Sequence, residues 1–258
     1  RLYLHTSPEY SMKRLLCAGS GDIYALGKVF RAGEAGGRHN PEFTMLEWYR
    51  VGIDHLELMH EVSDLLTELF AGSAIELADS PIFISYQQAV MEYAGLDPLN
   101  ASDDAITQLG IELAGGDLGL NRDGWLDMIM SHKVEKALPK NRLVFIYNYP
   151  ASQAALAKLN HDEKGQLISE RFEVYLNGLE LANGYHELTD AQEQQQRFEK
   201  ELVETERPVD EKLLAAMVDN DAGLPACAGV AMGIDRILML QLGLKTLAEV
   251  ISFDIHRA

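Results

Sequence analysis

Glu173 and Glu180 flank an Asn-Gly pair in the stretch RFEVYLNGLELANG, residues 171–184. Asn-Gly between aliphatic runs is a strong signal for a two-residue hairpin turn. With the turn at Asn177-Gly178, Leu176 is expected opposite Leu179, Tyr175 opposite Glu180 and Glu173 opposite Ala182. The two glutamates then share a face as diagonal neighbours, about 7–8 Å apart at the backbone. That spacing suits two carboxylates holding one or more cations, and without a cation the like charges repel. The alternative is an exposed hairpin face carrying two solvated carboxylates.

A second set of reactive side chains lies in VFRAGEAGGRHNPEFTMLEWYR, residues 29–50. A strand is expected to end near Arg31, a glycine-rich loop to carry Glu34, Arg38 and His39, and EFTMLEWY to resume as a strand. Alternation sends Phe43, Met45, Glu47 and Tyr49 to one face and Thr44, Leu46 and Trp48 to the core. Guanidinium groups beside an aromatic floor suit a nucleotide, with the cations on phosphate and the ring on the base. The competing reading is a polar hairpin whose arginine pairs with a nearby carboxylate. In GVAMGIDR (229–236), Gly229 and Gly233 permit close backbone approach and Arg236 opens a helix. Alone, that stretch reads equally well as tight strand–helix packing.

These groups need a scaffold. The 258 residues suffice for one large domain or two small ones, and 47% apolar content implies a globular core. No stretch reads as a transmembrane run or a signal peptide. Cys17 and Cys227 are too few and too far apart for a disulfide framework or a metal knuckle, and a reducing cytoplasm fits. The net charge of −18 argues against a large nucleic-acid footprint. Arg1 opens directly into RLYLHTS, as though the chain began inside a fold whose earlier part is absent.

Helical signals occur at Asp54–Phe70, with an Asp54/Glu57 capping box, and from Ser85/Gln88 to Gly95. Residues 97–140 are weakly patterned and read as short helices and loops, a candidate insertion. VFIYNYP (144–150) reads as a strand. Thr189 or Asp190 caps a helix through AQEQQQRFEKEL, Pro208 breaks the pattern, and LLAAMV is a helix. A strand then runs into a helix at GVAMGIDRILMLQLG.

Together these stretches resemble the class II aminoacyl-tRNA synthetases. FRAGE…RHNPEFTMLEWY is similar to their motif 2 and GVAMGIDRILML to their motif 3. TSPEY, RHNPEFTMLEWY, the paired-glutamate hairpin, NGYHELTDAQEQQQRF and GIDR occur in the order found in lysyl-tRNA synthetases. SPEYSMKRLL, PASQAALA and TLAEVI further resemble the lysyl-synthetase paralogs that modify elongation factor P. The resemblance covers most of the chain except about 97–140.

The resemblance implies an α+β fold, an antiparallel sheet flanked by helices, in a single catalytic domain over residues 1–258 with the part bearing motif 1 missing. It implies ATP-dependent adenylation of lysine or (R)-β-lysine and transfer to the ε-amino group of a lysine on elongation factor P. Arg31 matches the arginine on the α-phosphate, and Arg236 the one over the adenine that reaches the γ-phosphate. Phe43 would stack on the adenine, Asn40 and the backbone near Gly33 would read it, and His39 would touch phosphate. Leu181 and Gly233 would lie along the nucleotide. Glu173 and Glu180 would hold Mg²⁺. Ser7, Glu9, Glu47, Tyr49, Asn183, Tyr185, Glu187 and Ala231 match the amino-acid pocket. Strict alternation places Asn183 away from the face of Glu180, so a bulge or turn is required at Ala182-Asn183-Gly184.

Two positions depart from the family pattern. Gly33 stands where an acidic residue is usual, with Glu34 following, which leaves a side-chain role for Glu34 in doubt. Ala231 stands where lysyl-tRNA synthetases tend to have glycine, and its methyl group is expected to favour (R)-β-lysine. The rival functions are a lysyl-tRNA synthetase core cut from a longer chain and an inactive paralog that binds and regulates. The family also implies a homodimer.

Overall fold

The computed structural model describes residues 3–33, 35–78, 80–205, 209–219 and 223–257. Glu34 and Pro208 lie outside the described residues. Eight strands form one sheet: β1 (Ile23–Phe30), β2 (Glu42–Val51), β3 (Ile82–Ser85), β4 (Leu143–Pro150), β5 (Leu159–His161), β6 (Leu167–Leu176), β7 (Leu179–His186) and β8 (Cys227–Gly233). Their order is β1-β2-β8-β7-β6-β4-β3, with β5 beside β6. Among the described residues β3 and β4 are parallel, and the remaining pairs are antiparallel. The expected α+β architecture is present.

Local signals explain the helices that flank the sheet. In α2 (His55–Phe70) the Asp54 carboxylate accepts from the Leu56 and Glu57 amides, and Glu57 returns a bond to the Asp54 amide. This capping box satisfies donors that the first turn otherwise leaves open. Ser85 and Gln88 do the same for α3 (Tyr86–Ala94), which ends on left-handed Gly95. The buried stripe Leu58, Met59, Val62, Leu66 and Phe70 packs α2 against Trp48, Phe145, Phe172, Val174 and Val230 of the sheet. That core lies on one sheet face and leaves the other for ligands.

Residues 97–140 share a second core with α3 and the sheet. They form α4 (Asp103–Ala114), α5 (Arg122–Ile129) and, after a π-helical turn at Met130–Val134, α6 (Glu135–Ala137). Ile106, Trp125, Leu126 and Ile129 pack with Tyr86, Val90, Val144 and Ile146. A side chain at Gly110 would collide with the Trp125 ring, so glycine sets how closely α4 and α5 cross. The sequence pattern is weak because each helix is short and meets its partners only after the chain has folded back.

A third cluster joins α1 (Glu9–Cys17), α7 (Ala191–Thr205) and α8 (Glu211–Asp219) to the sheet through Met12, Leu16, Phe198, Leu213 and Cys227. Asp190 caps α7, accepting from the Gln192 and Glu193 amides. Cys17 and Cys227 are both buried and not joined in a disulfide. No helix among the described residues is long and apolar enough to cross a membrane.

The hairpin departs from the expected register. Leu176 pairs with Leu179 and Tyr175 with Glu180, as anticipated, but Val174 then pairs with Ala182 and Glu173 with Asn183. Glu173 is therefore not opposite Ala182. Leu181 is an extra residue on β7, so the bulge lies at Leu181 and not at 182–184. It resets the alternation before Asn183, which lets Glu180 and Asn183 serve the same side. The turn itself is as expected, with Asn177 and Gly178 both at positive φ, 57° and 74°.

Candidate active site

β2, β8 and β7 lie side by side and form the floor of a hollow of about 370 Å³. Phe43, Met45, Glu47 and Tyr49 rise from β2, Ala231 and Gly233 from β8, and Glu180, Leu181, Asn183 and Tyr185 from β7. Ala231 sits in the middle, paired with Glu47 on one side and Asn183 on the other. Ser7, Glu9 and Glu187 close one end, while Arg31, Arg38, His39 and Arg236 crowd the other. The hollow thus has an anionic end and a cationic end.

The cationic end is already interlinked. Arg236, at the start of α9 (Ile234–Gln241), donates to the Glu180 carbonyl at 2.8 Å and stands 2.9 Å from Nε2 of His39. Its guanidinium also lies 3.6 Å from the Glu180 carboxylate. Arg31 rests over the Phe43 ring, 5.1 Å from the centroid, so a cation–π contact covers one face of that ring. Asn40 lines the hollow, but its amide donates to the Glu42 carbonyl and accepts from the Ile255 amide. Its first role here is to fix the loop.

At the anionic end Glu47 accepts from Ser7 Oγ and Tyr49 Oη, both at 2.8 Å. Burial, and then the charge of Glu9, pushes the Glu47 carboxyl up to about 7. Burial likewise pushes Glu187 up to about 7, with Glu9 and Glu47 adding to it and Lys13 opposing. Lys13 lies behind the wall, paired with Glu9 at 2.8 Å and Glu187 at 2.5 Å. Burial would lower the ammonium's pKa, but the two carboxylates overcome this and leave it raised. Three carboxylates against one lysine leave this end short of positive charge. A ligand with two ammonium groups would complete it.

Two expected residues lie outside this hollow. Gly33, at a φ of 82°, belongs to the loop and is not among its lining residues. Glu173 lines an adjoining hollow with Asp127, Glu135, Arg171, Tyr149 and Tyr175, and Glu180 borders both. The two glutamates remain diagonal neighbours, since Glu180 pairs with Tyr175, two residues from Glu173, and both line the adjoining hollow. Glu173 accepts from Tyr149 Oη at 2.8 Å and from Arg171 and Tyr175. Burial and the Glu173 charge push Glu180 up to about 7, against the pull of Arg236 and Arg171.

Residues 1–257 match the family described as tRNA synthetases class II (D, K and N). The chain belongs to this class II tRNA synthetase family. It is 46% identical to the Proteus mirabilis protein named elongation factor P–(R)-β-lysine ligase, with all of this chain and 79% of that one covered. It is 47% identical to the Photorhabdus laumondii protein of the same name and 45% to that of Hamiltonella defensa, with all of this chain and 78% of each relative covered.

Three contributions to this class II site were not evident from its motifs. Lys13 sits one helical turn after Glu9, and that i,i+4 spacing was the available signal. Arg171 donates to Asn183 Oδ1 at 3.3 Å and to the Gln153 carbonyl, and lies over the Tyr149 ring. It thereby positions a pocket side chain from the next strand. Asp235 accepts from the Thr44 amide at 2.6 Å and ties α9 to β2. The last two contacts cross strands or elements and carry no local spacing signal.

Proposed function

We propose that the chain is an ATP-dependent ligase that activates lysine or (R)-β-lysine as the aminoacyl-adenylate. It then transfers the acyl group to the ε-amino group of a lysine on elongation factor P. The observation that carries this reading is the polarity of the hollow on β2, β8 and β7, cations at one end and carboxylates at the other. Two mutually repelling anions, a triphosphate and an amino-acid carboxylate, must meet in it. The cationic end receives the triphosphate, and the carboxylates hold the two ammonium groups so that the substrate carboxylate points toward phosphate. The names of the relatives supply the acceptor and the β-lysine substrate.

In the first step the substrate carboxylate oxygen attacks the α-phosphorus and pyrophosphate leaves. Arg31 and Arg236 stabilise charge on the phosphates, and Phe43 carries the base. In the second, the neutral ε-amine attacks the acyl carbon, an amide forms, and AMP and a proton are released. Glu180 suits a magnesium ion: it borders the hollow, and its pKa is raised by burial and by the neighbouring charge of Glu173, which a cation would offset. Glu173 suits one less directly, because its oxygens already accept from three side chains. Bound there, magnesium would neutralise and align phosphate oxygens. The unit is proposed to act as a homodimer, with Tyr24 and Leu26 of β1, 77% and 60% exposed, available to a second copy.

The test is pyrophosphate exchange with α-lysine, (R)-β-lysine and other amino acids, followed by mass analysis of elongation factor P incubated with enzyme and ATP. A mass increase of one lysyl or β-lysyl group on the factor is expected. Exchange with neither substrate, or aminoacylation of tRNA in place of the factor, would overturn the reading.

A further inference from the structure

We propose that His55, Glu170 and His186 form a binding site for a zinc-like divalent ion, on the sheet face opposite the ligase hollow. Among the described residues they are the one group of three such side chains whose ligand atoms all lie within 4.8 Å of one another. They come from three elements, the first turn of α2, β6 and β7. Asn183 and Tyr185 line the hollow, so alternation turns His186 to the other face, where α2 packs. The site is therefore separate from Glu180 and from the magnesium proposed there.

The donor chemistry is selective. Two imidazoles and one carboxylate suit zinc and its neighbours, whereas magnesium and calcium prefer oxygen alone. His55 and Glu170 are 4% and 7% exposed. Glu170 accepts from Asn160 at 2.7 Å and stands 2.5 Å from His186 Nδ1. The Asn160 bond comes from outside the ligand set and is of the kind that orients a metal ligand, while the His186 contact joins two of the proposed ligands.

A second observation points the same way. Nδ1 of His55 is buried with no hydrogen-bond partner, although native folds rarely leave such an atom alone. The other ring nitrogen lies 3.1 Å from Asn148 Oδ1, at a bulge in β4 where Asn148 takes a left-handed φ of 57°. The Asn148 contact orients the His55 ring from its far nitrogen, and water would give a fourth ligand. Zinc at about 2.0–2.1 Å from each donor spaces tetrahedral ligands about 3.3 Å apart, so closure needs only rotamer-scale movement. The helix dipole opposes a cation at the start of α2, but Asp54 caps that terminus with a carboxylate. An ion here would clasp α2 to β7 at the residue between Tyr185 and Glu187, both of which line the amino-acid end.

The test uses the whole chain, stripped with chelator and titrated with Co²⁺ in excess Mg²⁺. One equivalent should bind with the strong visible absorption of four-coordinate cobalt and be displaced by Zn²⁺. Zn²⁺ should raise the thermal midpoint by several degrees. Glu170→Gln and His186→Ala should weaken binding at least tenfold, and Glu180→Gln should leave it unchanged. Should either variant fail to fold by circular dichroism, His55→Gln replaces it. No stoichiometric binding to the folded wild type would overturn the proposal. So would binding that survives the His186 and Glu170 changes, or a thiolate charge-transfer band assigning the ion to Cys17 or Cys227.

Discussion

The Lys13 ammonium lies 2.5 Å from the Glu187 carboxylate, and both side chains are sealed from solvent. A buried pair of this kind is costly to break, because the surviving charge has no water to turn to. Lys13→Met should therefore lower stability by about 3–5 kcal/mol, read as a shift in the urea midpoint. A loss below about 1 kcal/mol would mean that Glu9 and Glu187 protonate without penalty.

The same carboxylates set a pH dependence. Glu47 and Glu187 titrate near 7, above the ordinary value of 4.5. Between those values the folded, ligand-free protein holds more protons than the unfolded chain. Their stability contribution is complete below about 4.5 and is lost as pH rises through about 7. Unfolding free energy should fall between pH 5.5 and 8, and the fall should be smaller in Glu47→Gln. A curve that rises over this interval in the wild type alone would contradict the assignment.

Substrate binding should run the other way. An ammonium group prefers ionised carboxylates, so lysine or β-lysine affinity should grow from pH 6 to pH 8. Calorimetry in buffers of different ionisation enthalpy should detect proton release on binding. Proton uptake would contradict the raised carboxyls.

Gly229 has no room for a side chain. A Cβ there would collide with the Tyr49 ring and come within 2.6 Å of Glu187 Oε1. Gly229→Ala should cost about 1–3 kcal/mol of stability through overpacking. It should also raise the amino-acid KM at least tenfold while changing the KM for ATP little. Equal effects on both constants would show a general collapse of the sheet.

Ala231 is the position for specificity. Its methyl group stands between Glu47 and Asn183 on the floor. A single methyl in a pocket discriminates by about 1–3 kcal/mol. Ala231→Gly should shift the ratio of kcat/KM values about tenfold or more toward α-lysine in pyrophosphate exchange. An unchanged ratio would move the discrimination elsewhere.

Local chemistry was fully legible in the sequence. The Asp54 and Ser85 caps, the Asn177-Gly178 turn and the alternation of Phe43, Met45, Glu47 and Tyr49 depend on neighbours a few residues away. Residue type and short spacing dictate such features, and most of the hollow's lining follows from them. The order of the motifs carried the family assignment.

Tertiary structure decided what depends on pairing. One extra residue at Leu181 changed the hairpin register beyond Glu180 and brought Asn183 to the same side as Glu180, in the hollow. Alternation along a strand has period two, so it signals that a slip is needed but not where it falls. Lys13 gained its second carboxylate only when α1 met the end of β7, and Arg171 its hold on Asn183 only in the hairpin's shifted register. Long-range charge balance has no signature in spacing, because it is set by which elements share a core.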